Sequence, residues 1–473
     1  MKNISIWQSD KFKRYNNKMP RNLTTDILII GGGITGISSA YFLDDCNRKI
    51  TLIDKAGIGS GVTGKTTAKI SYLQGIIYQT LISNFSKKVA KKYLNSQLEA
   101  ISLILKIIDK YNISCDLKKV DSIIFTLEDK NVSKIELEQK ILSFFDIDVT
   151  MVNSNLIKSG IKVSGTYSFN PLKYLHGIAE NLKNTTIYEN VLAESLSYND
   201  NKYYIKTNKG MIVANTVIMA IHYPFFILPT FIPFKTYIKR EYVTAAKVNL
   251  DNISNYMAIN IDKRLHSIRF YNDYLIYNSN SHRLTNNIDY GKNYDNSISD
   301  FKRYFNRKPM YFWMNQDVMS NDGLPFIGQI GDELYLSTAY NGWGMTNGTL
   351  AGKVIADLII KKSSDYKELF NPSRSNFSLF FFSFTGSFYY AKAYIQSLWK
   401  KNIPNYIKIN GIMYGVYIDE ENVRHIVKLI CPHMKCSLVF NDKEKTWDCP
   451  CHGSRFDLDG NIIEGPAVKN IKK

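Results

Sequence analysis

The sequence predicts an α/β domain built on a mostly parallel sheet, a middle section that forms an antiparallel sheet, and a small all-β domain at the C-terminal end. From Asp26, an apolar run, a glycine-rich turn, a helical stretch and a second apolar run follow one another, which is the pattern of strand, turn, helix and strand. From about Thr150 to Met319, short β-branched and aromatic runs alternate with turns, which is typical of antiparallel strands. From about Tyr406, short strand-like runs surround a cluster of cysteines.

Length and composition allow this organisation and exclude several other classes of protein. A chain of 473 residues corresponds to a few domains at roughly 100 to 200 residues per domain. With 45% hydrophobic and 22% charged residues, the chain falls within the range of globular proteins. The net charge of +18 comes mostly from lysines spread along the whole chain, so no nucleic-acid partner is expected.

Two segments bear on the location of the protein. Residues 1–25 are polar and lack the apolar core of a secretory signal, so the sequence predicts a cytoplasmic protein. The most apolar stretch, Phe377–Ala391, has 15 residues, fewer than the roughly 20 that a membrane-spanning helix needs. It is expected to pack as a buried segment, with contact to a membrane surface as the less favoured alternative.

The remaining elements assign the chain to domains. Helix-period apolar positions over residues 80–145 indicate crossover helices between the strands of the parallel sheet. Leu334–Ala339 is predicted as a strand and Thr346–Lys361 as a helix, so a remote part of the chain returns to the first domain. The predicted domains are a discontinuous nucleotide-binding domain, a middle domain, a linker that contains the apolar segment, and a C-terminal domain, with bounds 1–150 plus 320–370, 151–319, 371–405 and 406–473.

The first glycine-rich turn has the spacing of a dinucleotide-binding fingerprint. Gly31, Gly33 and Gly36 form G-x-G-x-x-G between a strand and a helix, and Asp54 ends the next strand. The glycines permit a tight turn, close approach of a pyrophosphate and close packing of helix on strand, while the helix N-terminus attracts the phosphate charge. Asp54 is expected to accept hydrogen bonds from a ribose hydroxyl. The fold predicted for residues 1–150 is therefore Rossmann-like.

The loop after Asp54 favours FAD over NAD as the bound dinucleotide. Its sequence KAGIGSGVTGKTTAKIS supplies glycines, hydroxyls and backbone amides that suit a long cofactor. A flavoenzyme that also binds NADH usually has a second fingerprint, which this sequence lacks, so the electron donor is expected to be a small molecule. The predicted cofactor contacts of this loop are Lys55, Thr66, Thr67 and Ala68.

Three further motifs resemble the D-amino-acid oxidase and glycine oxidase type of FAD-dependent oxidoreductase. They are Asn170-Pro171 before a helix, DGLPFIG over residues 322–328, and YNGWGMTNG over residues 340–348. The resemblance implies a glutathione-reductase-type FAD-binding domain, an α+β substrate domain, and a loop and a helix N-terminus beside the flavin. It implies cofactor contacts by Gly328, Gly342, Gly344, Met345 and Thr346. The Cys and His positions that link flavin covalently in some relatives are missing, so the FAD is expected to be non-covalent.

The cysteine and histidine pattern near the C-terminal end predicts a Rieske 2Fe-2S centre. Cys431-Pro432-His433 is followed, after 15 intervening residues, by CPCH over residues 449–452. Such a cluster needs two thiolates on one iron and two imidazoles on the other, and each segment supplies one ligand of each kind. The predicted ligands are Cys431, His433, Cys449 and His452. A zinc site fits less well, because zinc fingers favour a Cys-Cys pair followed by a His-His pair.

The same segment is similar to the Rieske domain family, and the resemblance has three implications. The sequence GPA over residues 465–467 corresponds to a third loop that covers the cluster. Cys436 and Cys451 correspond to the pair that forms a disulfide between the ligand loops in the cytochrome bc type, with free packed thiols as the alternative. Ser454 corresponds to a hydroxyl donor that raises the reduction potential, whereas Phe456 stands where high-potential members have Tyr, so a potential below that class is expected.

Amine oxidation by a flavoprotein of this type depends on the position of the substrate, because hydride passes from carbon to flavin once the amine is neutral. A substrate carboxylate would need a cationic anchor. Arg269 is favoured, because residues 267–269 lie where the sheet of such enzymes crosses the flavin face. His282 and His222 are second choices. The other cationic candidates in the middle domain are Arg240, Arg264 and Arg283.

The sequence therefore predicts an FAD-dependent dehydrogenase that oxidises a CH-NH or CH-NH2 group of a small amine or amino acid. The electrons are expected to pass from the flavin through the Rieske cluster to an unknown acceptor. An oxidase is less favoured, because the fused cluster offers the electrons an intramolecular partner. One alternative is a redox sensor or electron-transfer protein that turns over no small substrate, and another is a flavin-dependent monooxygenase, which would need a nicotinamide donor.

Overall fold

The computed structural model describes residues 1–15, 17–224, 232–249, 255–284, 289–374 and 406–472. Most of the predicted linker 371–405, including all of the apolar segment Phe377–Ala391, lies outside these residues. Among the helices within them, none is long and apolar enough to cross a membrane. The predicted cytoplasmic location stays a prediction.

The described residues form the following regular elements. The α-helices are α1 (Ile34–Leu43), α2 (Ile77–Asn84), α3 (Lys87–Tyr111), α4 (Val132–Phe144), α5 (Pro171–Ala179), α6 (Ile232–Lys235), α7 (Tyr290–Phe305), α8 (Gly344–Lys361) and α9 (Lys367–Phe370). The strands before the C-terminal domain are β1 (Asn22–Ile30), β2 (Ile50–Asp54), β3 (Lys69–Ile70), β4 (Lys118–Thr126), β5 (Thr150–Ser154), β6 (Ile157–Ser168), β7 (Thr185–Glu189), β8 (Ala193–Asn199), β9 (Lys202–Thr207), β10 (Gly210–Met219), β11 (Thr236–Lys247), β12 (Tyr256–Asn260), β13 (His266–Tyr271), β14 (Tyr274–Arg283), β15 (Tyr311–Ser320), β16 (Phe326–Gly331) and β17 (Leu334–Thr338). The C-terminal strands are β18 (Tyr406–Ile409), β19 (Ile412–Ile418), β20 (Arg424–Lys428), β21 (Val439–Asn441), β22 (Thr446–Asp448), β23 (Arg455–Phe456) and β24 (Ile462–Glu464).

The first sheet contains the strand that precedes the glycine-rich turn. Its strands run in the order β16-β17-β10-β1-β2-β7, with β9 beside β10 and β8 beside β9. β1 pairs in parallel with both β10 and β2, and its residues Ile27, Leu28 and Ile29 are fully buried, as expected for a central strand covered on both faces. A hydrogen bond of 2.6 Å joins Thr35 of α1 to Tyr340, just before α8, so the two helices begin side by side.

The second sheet is mostly antiparallel, as the sequence predicts for the middle domain. Its order is β15-β11-β14-β13-β12-β4-β6-β3, with β5 beside β6. The pair β12 and β4 is parallel, and the other neighbours whose register is given are antiparallel. β11 and β15 form the edge that faces the C-terminal domain.

The division of the chain between the two sheets differs from the predicted domain bounds. Strands β7 to β10, within the predicted middle domain 151–319, belong to the first sheet, and β4, within the predicted first domain 1–150, belongs to the second. The reason is long-range pairing: β10 lies in parallel beside β1 from Met211 to Met219 and completes the centre of the first sheet. Local apolar patterns do not specify which sheet a strand joins.

The C-terminal domain is a small all-β unit, as predicted. One sheet has the order β18-β19-β20 and the other β21-β22-β23-β24, and all of their pairs are antiparallel. Its core contains Val427, Leu429, Trp447 and Phe456, each 1% exposed or less. The cysteines of the sequence cluster belong to the same core.

A buried ion pair joins the C-terminal domain to the second sheet. The side chains of Arg240 on β11 and Asp448 on β22 are both fully buried, and Arg240 Nη1 lies 2.6 Å from Asp448 Oδ2. Arg240 Nη2 donates to Gln316 Oε1 on β15 at 2.8 Å. Burial alone would raise the pKa of Asp448, but the charges of Arg240 and Arg455 hold it below its ordinary value. Asp448 is therefore ionised inside the interface.

Neighbouring polar contacts extend this interface to the first domain. Gln316 Nε2 donates to Gly453 O at 3.1 Å and to Glu464 Oε2 at 2.5 Å. Glu464 Oε1 lies 3.0 Å from Lys65 Nζ in the loop after β2. The C-terminal domain is thus held against both other parts of the molecule by ion pairs and hydrogen bonds with little exposure to solvent.

Replacing Arg240 by Met is expected to lower the free energy of unfolding by about 3–5 kcal/mol, because it removes one partner of a buried ion pair. Urea-induced unfolding followed by tryptophan fluorescence measures the change. Lys443→Met is the matched control, because Lys443 and Asp295 form an ion pair of 3.4 Å across the same interface with both side chains partly exposed. That variant is expected to lose less than about 1 kcal/mol. Equal losses in the two variants would contradict the importance given to Arg240.

Candidate functional site

A cavity lies where the two sheets and the C-terminal domain meet. Its volume is 970 Å³, at the upper end of the roughly 300–1,000 Å³ usual for small-molecule sites. Its wall includes the glycine-rich turn after β1, a face of β11 and β15, and residues 461–470 of the C-terminal domain. The predicted cofactor residues that line it are Gly31, Gly33, Asp54, Lys55, Thr66, Thr67, Gly342, Gly344 and Met345.

The glycine-rich turn has the geometry that its spacing predicts. Gly31 has a φ of +114°, and a Cβ there would lie 2.4 Å from Ala220 O. A Cβ on Gly36 would lie 1.8 Å from Gly31 O, so this position also accepts only glycine. Gly36 therefore serves the packing of α1 on the turn, and it does not line the cavity.

Asp54 holds the loops around the end of β2. Its Oδ2 accepts a hydrogen bond from Gly32 N, and its Oδ1 accepts from Ala56 N and Gly57 N, each at 2.8 Å. Burial raises the pKa of Asp54, and the three N–H groups oppose that rise. The carboxylate also lines the cavity, where a ribose hydroxyl is predicted.

Lys55 and four other residues that are predicted to contact the cofactor have positions that differ from the prediction. Lys55 lines the cavity, but its Nζ donates to Ile463 O of the C-terminal domain at 2.5 Å. Gly36, Ala68, Gly328 and Thr346 do not line the cavity. The geometry therefore does not support direct contact between these four residues and a cofactor.

Two helices begin at the cavity wall, and the first N–H of α1 is already paired, because Ile34 N donates to Thr63 Oγ1 at 3.1 Å. Gly33 precedes α1 and Trp343 precedes α8, and neither residue gives its helix a side-chain cap hydrogen bond. Helix N-termini carry unpaired N–H groups and partial positive charge, which suit a phosphate or another electron-rich group. The start of α1 fits the pyrophosphate of FAD, and the amides of Gly344 and Met345 fit an electron-rich ring edge.

Arg269, the favoured anchor for a substrate carboxylate, lies in a different environment from the cavity wall. It is 1% exposed, and its Nη1 donates to Thr67 O and Ala68 O while its Nη2 donates to Phe169 O. Its guanidinium lies 5.1 Å from the centre of the Trp7 ring. These contacts make Arg269 a residue that fixes the backbone at Thr67 and Ala68. Its predicted role as an anchor is untested, and this geometry does not favour it.

The two histidine candidates differ in position. His282 Nε2 lies 3.1 Å from Tyr242 Oη, and His282 is not among the described residues that line the cavity. His222 does line the cavity. Desolvation lowers the pKa of His222 to about 4, so its imidazole is neutral at pH 7.

Sequence reasoning missed three polar residues that line the cavity from the second sheet. They are Glu241 on β11 and Asn315 and Asp317 on β15. Glu241 lies directly opposite Asn315 in the strand pairing, and Asp317 is two residues further along, so all three share one face. Apolar and polar residues do not alternate along residues 311–320, so no local signal specifies which side chains line the cavity.

The predicted cluster ligands come together at the tips of two loops in the C-terminal domain. The rings of His433 and His452 have centroids 5.0 Å apart, and the thiols of Cys431 and Cys449 hydrogen-bond to each other. Burial lowers the pKa of His433 to about 4 and that of His452 to about 3, so both imidazoles are neutral and have a lone pair for a metal. Neither ring nitrogen of His433 has a hydrogen-bond partner in the described chain. These residues fit a 2Fe-2S cluster with two Cys and two His ligands.

Hydrogen bonds to sulfur surround the cysteine ligands. The pKa of Cys431 is lowered to about 7, first by the hydrogen bond with Cys449 and further by the N–H groups of His433 and Met434 and by Ser454. Ser454 Oγ in turn accepts a hydrogen bond from Ala467 N at 3.0 Å. The third loop is thereby tied to a residue that contacts the cluster ligand.

Cys436 and Cys451 form the disulfide that the resemblance implies, and it joins the two ligand loops. The sulfur atoms of Cys436, Cys449 and Cys451 lie within 4.8 Å of one another, a spacing that a metal could use. The disulfide leaves Cys436 and Cys451 without thiolates, however. Cys431 and Cys449 are therefore the cysteine ligands that this geometry supports.

The cavity and the cluster site share part of their boundary. Tyr223 lines the cavity, and the centroid of its ring lies 5.9 Å from that of His452. Residues 465–467, the loop predicted to cover the cluster, also line the cavity. A cofactor in the cavity and a cluster on His452 would thus be neighbours.

Comparison with known proteins assigns both parts of the chain. The FAD dependent oxidoreductase (DAO) family matches residues 26–358, and the Rieske [2Fe-2S] domain family matches residues 389–473. The Rieske-type iron-sulfur protein YhfW of Bacillus subtilis (strain 168) is 29% identical over 476 residues, which cover 95% of this chain and 93% of the relative.

Solved structures agree with the fold. Glycine oxidase from Geobacillus kaustophilus has 14% identity and a TM-score of 0.62 and covers 75% of this chain and 99% of its own. L-proline dehydrogenase from P. horikoshii has 18% identity and the same TM-score of 0.62, with 75% and 98% covered. The two matched families imply FAD and a 2Fe-2S cluster, and the residues of the cavity and of the two ligand loops fit these groups. The chain therefore belongs to the FAD dependent oxidoreductase (DAO) family and carries a Rieske [2Fe-2S] domain in its C-terminal part.

Proposed function

We propose that this protein is a dehydrogenase that oxidises a small amine or amino acid with FAD and transfers the electrons through its Rieske cluster to an acceptor outside the chain. The observation that supports it most directly is the shared boundary of the two sites. Tyr223 lines the FAD cavity, and its ring lies beside that of the cluster ligand His452. Residues 465–467, the loop predicted to cover the cluster, line the same cavity. A two-electron cofactor and a one-electron cofactor are thereby neighbours.

The residues of the cavity position the reactants. FAD supplies hydride acceptance, and the 2Fe-2S cluster supplies one-electron transfer. The start of α1 binds the pyrophosphate, Asp54 binds the ribose, and the amides of Gly344 and Met345 hold the flavin ring edge that gains negative charge. His222 is neutral, so it adds no positive charge that would repel an amine substrate in the cavity.

The fusion of the two domains favours a dehydrogenase over an oxidase. A partner in the same chain has a high effective concentration, so the cluster competes with dissolved oxygen for the flavin electrons. The names of the two structural neighbours include both an oxidase and a dehydrogenase, so the fold alone does not choose between them. The docked Rieske domain is the feature that supports the choice.

Anaerobic addition of mixed amino acids and secondary amines to the holoprotein is expected to produce the rhombic Rieske EPR signal, because substrate electrons reach the cluster. Reduction by dithionite is the control that gives the full signal. A signal with dithionite alone would contradict the proposal for these substrates and favour a redox sensor. Rapid peroxide formation in air would instead favour an oxidase.

Ser454→Ala is expected to lower the midpoint potential of the cluster by about 50 mV, because it removes one hydrogen bond to the Cys431 sulfur that favours the more negative, reduced state. An EPR-monitored redox titration measures the shift. Ser454→Thr retains the hydroxyl and serves as the control, with a potential close to that of the unmodified protein. An unchanged potential in the alanine variant would show that Ser454 does not donate to the cluster.

A further inference from the structure

The wall of the cavity formed by the second sheet contains two carboxyl groups. Glu241 and Asp317 both line it, on neighbouring strands. Lys239 Nζ lies 3.3 Å from Glu241 Oε1 and offsets that carboxylate. No hydrogen bond or ion pair of the described residues reaches the carboxylate of Asp317. The wall therefore has two carboxyl groups for one lysine, and Asp317 is the one without a hydrogen bond or ion pair among the described residues.

Lys469 of the C-terminal domain lines the cavity, and other cationic groups near it have partners of their own. None of the described lining residues is an arginine. Lys65 pairs with Glu464, and Lys55 donates to Ile463 O. Arg240 pairs with Asp448 on the opposite face of β11. A substrate carboxylate at the second sheet would consequently meet Glu241 and Asp317, with Lys239, already paired with Glu241, as the one neighbouring cation among the described residues of these two strands.

Asn315 gives an independent indication that this wall binds a ligand. It is 5% exposed and lines the cavity, and its Oδ1 has no hydrogen-bond partner in the described chain. A buried amide oxygen without a donor costs roughly 1–3 kcal/mol, and a ligand N–H group would remove that cost. Asn315 Oδ1 and the carboxyl group of Asp317 thus offer two hydrogen-bond acceptors on one face of the sheet.

Asp317 lies on the side of the cavity where the flavin is expected. A Cβ placed on Gly342, in the loop before α8, would be 3.8 Å from Asp317 Oδ2. Burial raises the pKa of Asp317 to about 8, the charge of Glu241 adds to the rise, and the charge of Lys239 opposes it. Lys239 lies opposite Asp317 in the strand pairing but forms its ion pair with Glu241, so a bound cation would favour the ionised form of Asp317.

We propose that Asp317 and Asn315, next to Glu241, form a subsite for a cationic nitrogen, so that the substrate is recognised by a protonated amine or amidine-like group and not by a carboxylate. This inference rests on the proposed function and narrows its substrate class to cationic amines, with diamines favoured over amino acids. A second nitrogen bound at Asp317 would leave the first at the flavin for oxidation.

Binding of a charge-reversed pair of ligands tests the subsite without requiring turnover. Benzamidine and benzoate have similar shapes and opposite charges, and neither has a C–H next to nitrogen that a flavin could oxidise. In the holoprotein, calorimetric titration is expected to give a Kd for benzamidine at least about tenfold lower than that for benzoate, the size of one charge-assisted hydrogen bond. Tighter binding of benzoate would overturn the proposal.

Asp317→Asn tests the residue that the proposal depends on. It is expected to weaken benzamidine binding about tenfold and to leave benzoate binding unchanged or stronger. Glu194→Gln is the matched control, because Glu194 is another carboxylate of the same cavity, lies on β8 and pairs with Lys206 at 3.7 Å. An equal effect of the two variants on benzamidine would overturn the assignment to Asp317.

Failure of the proposed function would be distinguishable from failure of the subsite. If benzamidine binds through Asp317 but no amine reduces the flavin, the subsite stands and the dehydrogenase proposal fails. If amines reduce the flavin but 1,4-diaminobutane has no higher kcat/KM than butylamine, and Asp317→Asn leaves that ratio unchanged, the dehydrogenase proposal stands and the subsite fails.

Discussion

Arg240 and Asp448 are charged side chains with no exposure to solvent, and such a pair is stable only while both partners stay in place. One belongs to the second sheet and the other to the Rieske domain. Separating the domains would break this pair and, with it, the hydrogen bonds that Gln316 Nε2 donates to Gly453 O and Glu464 Oε2 across the same interface. The relative position of the two cofactor sites depends on this pair.

The docked position has a direct effect on the cavity. Residues 461–470 of the Rieske domain supply part of the wall that surrounds the FAD site, so the cavity has its full boundary only when the domain is in place. Glu464 belongs to the same segment and pairs with Lys65 of the FAD-binding domain. The Rieske domain is thus also a structural part of the cavity wall.

The sequence predicted well those features that are encoded by residues close together in the chain. The turn at Gly31 and the two cluster loops follow from spacing alone, since each is closed by local backbone geometry. Arg269 and Asp317 show the limit, because the role of each depends on which strand lies beside it and on which face of the sheet it projects. Lys55 was assigned to the cofactor, yet it also reaches a carbonyl more than 400 residues away in sequence.

β11 and β15 contribute to two sites at once, because successive side chains on a strand point to opposite faces. Arg240 and Gln316 hold the Rieske domain on one face, while Glu241, Asn315 and Asp317 border the cavity on the other. Point substitutions can therefore diversify substrate choice among relatives without loosening the docked domain. A single-residue insertion or deletion in either strand would exchange both faces together. New substrate preferences can thus arise through changes of residue type in these strands, whereas a change of strand length would also disrupt the docking of the Rieske domain.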